Sequence, residues 1–131
     1  MHEDNIGQML QTINLIPMQS VTATGNGTGV DVTQFTGDIA VLLSCKAAGG
    51  TSPTLDVKLQ DSDAVGGTYT DIPGATFTQV TDAGSSAAVL LKITLQVGTV
   101  NKFIRAVRTI GGSATPTFLT ACSAVGVQQI R

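Results

Sequence analysis

The sequence is poor in aromatic side chains: it has no Trp, one Tyr (Tyr69) and four Phe among 131 residues. Sugar-binding platforms and the hot spots of protein interfaces both depend on exposed Trp and Tyr rings. A carbohydrate-binding β-sandwich module is therefore only an alternative function, and Tyr69 is its one candidate platform residue.

Charged side chains are also scarce. Asp, Glu, Lys and Arg make up 12% of the chain, and the formal net charge is −2. Binding to nucleic acid requires clustered Lys and Arg that neutralise phosphates, so we predict no nucleic-acid partner. Apolar runs are far shorter than the roughly 20 residues of a membrane helix, so we predict no membrane partner either. Met1–Asn5 contains two acids and no apolar core, so no signal peptide is expected.

Residues with catalytic or metal-binding chemistry are few. His2 is the one histidine, so no Ser–His–Asp set can form, and no spacing fixes two aspartates as a hydrolytic pair. Asp61 and Asp63, followed by two glycines, hint at a calcium loop, but Val65 and Ile72 occupy two positions where an EF-hand needs ligands. We predict that the protein is not an enzyme and has no catalytic, cofactor-binding or metal-binding residues.

Two further motifs have simple interpretations. The alternating glycines of Gly25–Gly29 suggest a phosphate loop, but a β-branched stretch follows them where a dinucleotide-binding fold needs a helix. Cys45 and Cys122 each lie in an apolar, strand-like run. They are either small buried hydrophobes in a reducing compartment or, if their strands are neighbours, a disulfide pair.

The chain is rich in Thr, Gly, Ala and Val, which suits many strands joined by tight turns. Leu55, Val57 and Leu59 alternate with polar residues, the period of a strand with one dry and one wet face. The turn-rich run Asp61–Gly67 and the short strand Tyr69–Ile72 follow. We predict that these segments form a hairpin at the centre of the fold.

Strand-like runs recur about every ten residues, with turn signals between them. This pattern predicts an all-β fold, namely an antiparallel, jelly-roll-like β-sandwich of eight or nine strands with an extended N-terminal arm. We assign residues 1–19 to the arm and a first strand segment, and residues 20–131 to the β-sandwich domain. Phe77 is the expected core anchor of its strand. Leu42 makes the second face of the 38–47 strand partly apolar, which favours a strand covered on both sides.

The N-terminal segment has two interpretations. Ile6, Met9, Leu10 and Ile13 have helix-like spacing, as expected for a tail with one nascent helical turn, or for an arm that docks on a partner or a sister subunit. Arg105 and Arg108 either lie exposed, pair with aspartates such as Asp56 or Asp71, or face a partner. The predicted partner-binding residues are Ile6, Met9, Leu10, Ile13, Arg105, Arg108 and Arg131.

Four stretches resemble small proteins encoded in the head gene clusters of tailed bacteriophages, and the likeness extends over residues 20–125. The stretches are Val21–Asp31, Gly50–Asp63, Phe77–Thr81 and Phe103–Arg108, and the string Thr-Ser-Pro-Thr-Leu-Asp-Val-Lys-Leu-Gln beginning at Thr51 is the most specific. The resemblance implies a virion structural protein of the capsid cement or decoration type.

Proteins of that type are β-rich, bind the outside of the shell as dimers or trimers, and bridge adjacent major capsid subunits. The partners implied are therefore the major capsid protein and the protein itself, as a homodimer or homotrimer. The implied location is the capsid surface of a virion assembled in the host cytoplasm. A tail or baseplate component of the same virion is the alternative.

Overall fold

The computed structural model describes residues 10–81 and 89–128, and almost all of this backbone is extended. One 3-10 turn, at Val97–Thr99, is the single helical segment in these two ranges. The strands are β1 (Leu10–Val21), β2 (Gly25–Asn26), β3 (Val30–Asp31), β4 (Phe35–Ser62), β5 (Thr70–Thr76), β6 (Val80–Thr81), β7 (Val89–Gln96) and β8 (Phe103–Gln128).

The two longest strands, β4 and β8, form an antiparallel ribbon that organises the other six. Their register runs from Phe35 opposite Gln128 to Ser62 opposite Phe103. At one end of the ribbon, β1 pairs with β8 and β7 pairs with β4, giving the order β1–β8–β4–β7, which we call half-sheet 1. At the other end, β2 and β3 pair with β8, and β5 and β6 pair with β4, forming half-sheet 2.

The ribbon turns a corner at its middle, where its register shifts repeatedly between Ala47 and Thr54. Gly50 and Gly112 have φ values of 94° and 115° there, in the left-handed region that glycine enters at no steric cost. A Cβ atom on Gly50 would lie 2.5 Å from the Cα of Pro116, so the two strands cross too closely for a side chain. Residues 48–52, whose glycines look like a loop in the sequence, therefore lie at the corner of a continuous strand pair.

A single hydrophobic core lies between the two half-sheets. Alternate residues of both halves of β4 and β8 point into it and are almost completely buried. Because both halves contribute to one core, they must pack face to face, and the predicted all-β sandwich is confirmed. Phe77 is buried as expected. The ribbon's core residues are Ile39, Val41, Leu43, Cys45, Leu55, Val57, Leu59, Ile104, Ala106, Phe118, Cys122 and Ala124.

The predicted hairpin exists, but it is not at the centre of the fold. Gln60 pairs with Asp71 and Asp61 with Thr70, so β5 returns along β4 as expected. However, β5 is an edge strand, because β8 occupies the other side of β4. Local alternation cannot show that pairing, since β8 lies 40 or more residues further along the chain. Pro73 and Gly74 form a bulge inside β5, which continues to Thr76.

Strand β1 begins at Leu10 and forms an edge of half-sheet 1. Two register shifts lie on either side of Ile16, next to Pro17, so this proline occupies an irregular position on an edge strand, where its missing N–H is tolerated. Ile13 packs against the chain's own core. Residues 1–9 of the predicted arm lie outside the described residues, and the proposed boundary at residue 20 falls inside β1. The division into arm and domain therefore stays a prediction.

The two cysteines are free, buried thiols on adjacent strands. Cys122 lies opposite Leu43 and Cys45 opposite Thr120, which makes the two cysteines diagonal neighbours without a disulfide between them. Burial raises the pKa of the Cys45 thiol and raises the pKa of Cys122 to about 12. Both thiols therefore behave as small hydrophobic core residues.

The corner of the ribbon stores backbone strain that substitution can relieve. Thr115 has a φ of 57°, which is unfavourable for a β-branched residue. We expect Thr115→Gly to raise the free energy of unfolding by about 0.5–1 kcal/mol, because the relieved strain exceeds the extra entropy of an unfolded glycine. Thr109→Gly, in regular exposed strand, should lower it instead. Urea unfolding measures both, and a destabilised Thr115→Gly would contradict the strain.

Burial of Cys122 predicts a loss of stability at alkaline pH. Above about pH 9 the unfolded thiol ionises while the folded thiol keeps its proton, so the folded state loses about 1.4 kcal/mol per pH unit up to about pH 12. Cys122→Ala removes this contribution. Under reducing conditions, the stability difference between wild type and Cys122→Ala should fall by about 2 kcal/mol between pH 8 and 10.5. The control Ala124→Gly, which removes no titratable group, should keep a constant difference from wild type.

Candidate interaction surface

The outer face of half-sheet 2 carries a connected set of polar side chains, which we call the polar ladder: Lys58, Gln60, Tyr69, Asp71 and Arg105. Nε and Nη2 of Arg105 both donate to Oε1 of Gln60, at 2.9 and 2.8 Å. Nε2 of Gln60 donates to Oδ1 of Asp71 at 2.8 Å, and Lys58 pairs with its Oδ2 at 3.0 Å. The ladder therefore links β8, β4 and β5.

Each charged group of the ladder has a hydrogen-bond partner within it. The hydrogen bond from Gln60, followed by the one from Lys58, lowers the pKa of Asp71 below its ordinary value. Asp56, on the same face, accepts a hydrogen bond from Nε2 of Gln79 at 2.9 Å. A charged face with internal partners for its groups offers little electrostatic attraction to another protein.

Tyr69 is half-buried and held on several sides. The guanidinium of Arg105 lies 4.2 Å from the centre of its ring, and its hydroxyl donates to the carbonyl of Val65 at 2.9 Å. A Cβ atom added to Gly29 would overlap the Tyr69 hydroxyl, so the ring's edge packs against bare backbone. Because Arg105 covers a face of the ring, Tyr69 is not an open platform for a sugar.

Neither predicted arginine makes an ion pair with Asp56 or Asp71 among the described residues. Arg105 reaches Asp71 only through Gln60. Nε of Arg108 donates to the carbonyl of Ala23 at 3.0 Å, which fastens the connection between β1 and β2 to β8. Both side chains therefore have contacts within the chain, and their binding to a partner stays a prediction.

The outer face of half-sheet 1 has a different chemistry. Met18 is 87% exposed and Leu119 is 48% exposed, and a shallow groove of about 220 Å³ lies between them, bordered by Lys46 and Ala121. Leu42 and Val125 are partly exposed on the same face. We call Met18, Leu42, Leu119, Ala121 and Val125 the apolar patch. The strand that contains Leu42 was expected to be covered on both sides, but the described residues supply no second layer over its outer face.

Two lysines stand in or beside the apolar patch. Lys46 pairs with Leu119 across the strands, and Lys92 pairs with Leu42. Among residues 10–81 and 89–128, no carboxylate lies within 4.0 Å of either ammonium group. An apolar patch with unpaired charge at its rim is typical of a protein interface. This face is therefore the candidate interaction surface.

The predicted contact residues fall in different places. Leu10, 44% exposed, lies opposite Val127 on the outer face of half-sheet 1, whereas Ile13 faces the core. Ile6, Met9 and Arg131 lie outside the described residues, so their role as contacts stays a prediction.

Sequence reasoning missed four surface residues. Lys46 shares its strand parity with Leu42, so alternation alone can place it on this face. Met18 and Leu119 become neighbours only through the β1–β8 pairing beyond the irregularity at Pro17, and nothing local in the sequence shows that pairing. Lys92 joins the face through the pairing of β7 with β4.

A second shallow groove, of about 280 Å³, lies at the end of half-sheet 2 and is lined in part by Thr33, Asp63, Asn101 and Lys102. The suspected calcium loop contributes to it but has another role. Asp61 is buried, and its Oδ2 accepts the Asn101 N–H at 2.9 Å, which anchors the segment before β8. In the described part of the chain, no three metal-ligating side chains cluster, and no helix has the length and apolarity to span a bilayer.

The comparisons with known proteins concern the fold. No protein-family model matches this chain, and no curated protein matches it. The structure of infectious bursal disease virus, Gx strain, matches with 9% identity and a TM-score of 0.54, covering 88% of this chain and 30% of that one. The VP2 subviral particle of the same virus matches with 10% identity and a TM-score of 0.50, covering 91% and 32%.

A protein from the disulfide-linked pili of Bacillus endospore appendages matches with 17% identity over 93% of this chain and 90% of its own, but at a TM-score of 0.46. This likeness is too loose to carry an argument. The chain spans about a third of the length of the two virus proteins. At such low identity these matches show the fold alone, and the protein has a viral capsid-like β fold.

The polar ladder predicts that Gln60 is its most important residue. Gln60→Ala removes three hydrogen bonds and leaves Arg105 without its acceptor, so we expect the free energy of unfolding to fall by about 1–2 kcal/mol. Gln79→Ala on the same face removes one exposed hydrogen bond and should cost about 0.5 kcal/mol or less. Denaturant unfolding of both variants tests this difference, and equal effects would show that the ladder adds nothing to stability.

Proposed function

We propose that this protein is a virion structural protein that binds the outside of a tailed-phage head and cements adjacent major capsid subunits. The observation that carries the proposal is the viral capsid-like β fold of a chain whose described residues form no reactive cluster. The resemblance of the Gly50–Asp63 stretch to proteins of phage head gene clusters supports the phage assignment.

We also infer that the sandwich is a jelly roll. Both half-sheets have four strand positions, and both are built on the same bent ribbon of β4 and β8. Eight strands wound in two sheets of this kind are typical of viral capsid domains and of lectins. VP2 of infectious bursal disease virus, which this chain matches over part of its length, forms a subviral particle.

A cementing role fits the chemistry of the surface. Such a protein needs a rigid scaffold and modest contacts that the symmetry of the shell repeats many times. A catalytic pocket is not required. The proposed partners are accordingly the major capsid protein and further copies of this chain, at the capsid surface.

The sugar-binding alternative loses support from the position of Tyr69. Its ring carries the Arg105 guanidinium at 4.2 Å, where a bound sugar would have to stack. A tail or baseplate location remains the competing proposal, since the same fold and surface can serve there. The number of copies per particle separates these two locations.

Among the predicted contact residues, we propose Ile6, Met9, Leu10 and Arg131 as those that touch other subunits. Leu10 is exposed on the candidate interaction surface. Ile13, Arg105 and Arg108 have contacts within the chain that leave less of each side chain for a partner.

Deleting residues 1–9 tests the proposal, because β1 begins at Leu10 and keeps its pairing with β8. We expect the truncated protein to keep its β circular dichroism spectrum and to lose cosedimentation with purified heads. Val65→Asp, an exposed apolar residue in the turn beyond half-sheet 2, is the control and should bind like wild type. Full occupancy by the truncated protein would show that the arm makes no essential contact.

Quantitative mass spectrometry of purified particles tests the location. A head-cementing protein should be present in on the order of hundreds of copies, because each copy follows the symmetry of the shell. A handful of copies per particle would place the protein in the tail or baseplate and overturn the head assignment.

A further inference from the structure

We propose that the outer face of half-sheet 1 is the docking site for residues 1–9 of a second copy of this chain. The inference rests on the self-association included in the proposed function. It goes further by naming the receiving surface, the segment that binds it and the charges that match.

The receiving surface combines a groove with two ammonium groups that pair with no carboxylate of residues 10–81 and 89–128. The groove between Met18 and Leu119 is bordered by Lys46, and both apolar side chains are strongly exposed. Lys92 lies on the same face. On the opposite outer face, the charged groups of the polar ladder hydrogen-bond to one another and to Gln60, so among the described residues the two faces differ in how their charged groups are bonded.

Residues 1–9 have the complementary chemistry. The sequence Met-His-Glu-Asp-Asn-Ile-Gly-Gln-Met places two carboxylates, Glu3 and Asp4, before the apolar Ile6 and Met9. The carboxylates match Lys46 and Lys92, and the apolar residues match the groove. Charge matching of this kind fixes orientation and partner choice more than it adds affinity, while the apolar contacts supply the binding energy.

Chain length favours a segment from another copy, because Lys46 lies far from Leu10 of its own chain. Leu10 lies opposite Val127 and Lys46 lies opposite Leu119. Eight residues of β8 therefore separate the positions of Leu10 and Lys46 along the strand direction. Eight residues and two strand spacings amount to roughly 28 Å. Asp4 is six residues from Leu10, a reach of at most roughly 21 Å for extended chain.

Along the strand direction, β1 runs from Leu10 toward Lys46. The chain before Leu10 would therefore have to reverse its direction to reach Lys46 of its own subunit. A two-residue turn leaves about four residues, or roughly 14 Å, for the return. Asp4 therefore falls short of Lys46 of its own subunit by about the combined length of the two side chains, and Glu3, one residue further out, reaches Lys46 only when nearly fully extended. Lys92, which pairs with Leu42 opposite Ser123, lies closer to Leu10, so the limit concerns the pairing with Lys46. Docking in trans removes this limit, and mutual exchange of arms between copies produces a closed, symmetric oligomer.

Sedimentation velocity on the full chain, without heads, tests the pairing of charges. Lys46→Glu with Lys92→Glu reverses the face, and Glu3→Lys with Asp4→Lys reverses the arm. We expect each double variant to weaken self-association about tenfold or more, and the quadruple variant to recover most of it. Lys102→Glu with Asp63→Lys makes matched charge changes away from the apolar patch and should associate like wild type.

A crosslinking experiment distinguishes binding in trans from binding in cis. Ile6→Cys in a tagged chain, mixed with Met18→Cys in an untagged chain, should give a disulfide-linked pair of unequal chains under mild oxidation. Cys45 and Cys122 are buried and should not compete. Val65→Cys, exposed on a distant turn, is the control acceptor and should remain uncoupled.

Three results would overturn the inference. They are a full chain that stays monomeric at all concentrations, a chain lacking residues 1–9 that associates as tightly as the full chain, and a quadruple variant that fails to recover. Binding of a monomeric protein to heads would refute the arm exchange and leave the cementing function intact. Self-association with the expected charge dependence, but without head binding, would support the arm exchange and refute the cementing function.

Discussion

The structure depends on the antiparallel pairing of β4 with β8. These two strands supply the middle of both half-sheets, and every other strand of the described residues pairs with one of them. Because the ribbon bends at its middle, one strand pair presents alternate residues to the same core from opposite sides. Leu43 and Leu59, on the two halves of β4, are both fully buried in that core. The sandwich is thus a folded ribbon, and the bend is what allows burial.

Alternation along the chain predicted much of this fold. It indicated the strand around Val57, the return strand at Asp71 and the burial of Phe77, because the buried face of a strand shows as an apolar residue at every second position. It did not show the continuity of β4 through Gly50, since glycines and prolines in a bent strand look like a loop. It also did not show β8 beside β4, because strand pairing over long separations leaves no mark in local periodicity.

The candidate surface was predictable only in part. Leu42 and Lys46 share a parity that marks an outward face with apolar character, and Leu10 was identified as a contact residue and is exposed. Met18 and Leu119 meet through a register that shifts next to Pro17, which no spacing rule encodes. Arg105 was expected to lie exposed, to pair with an aspartate or to face a partner, but Gln60 lies opposite it in the register and accepts its hydrogen bonds. The fold decides which side chains become neighbours across paired strands.

The shared ribbon also determines when the protein can become folded. Phe35 and Gln128 are partners at one end of it, so the chain must bring together residues separated by most of its length. Contacts of such long range form slowly, because loop-closure entropy is lost before the contacts compensate for it. During synthesis, β4 emerges well before β8, so one edge of β4 has no partner strand until β8 is made. Neither half-sheet is a separate folding unit, and an incomplete chain exposes strand edges to which other nascent copies can pair.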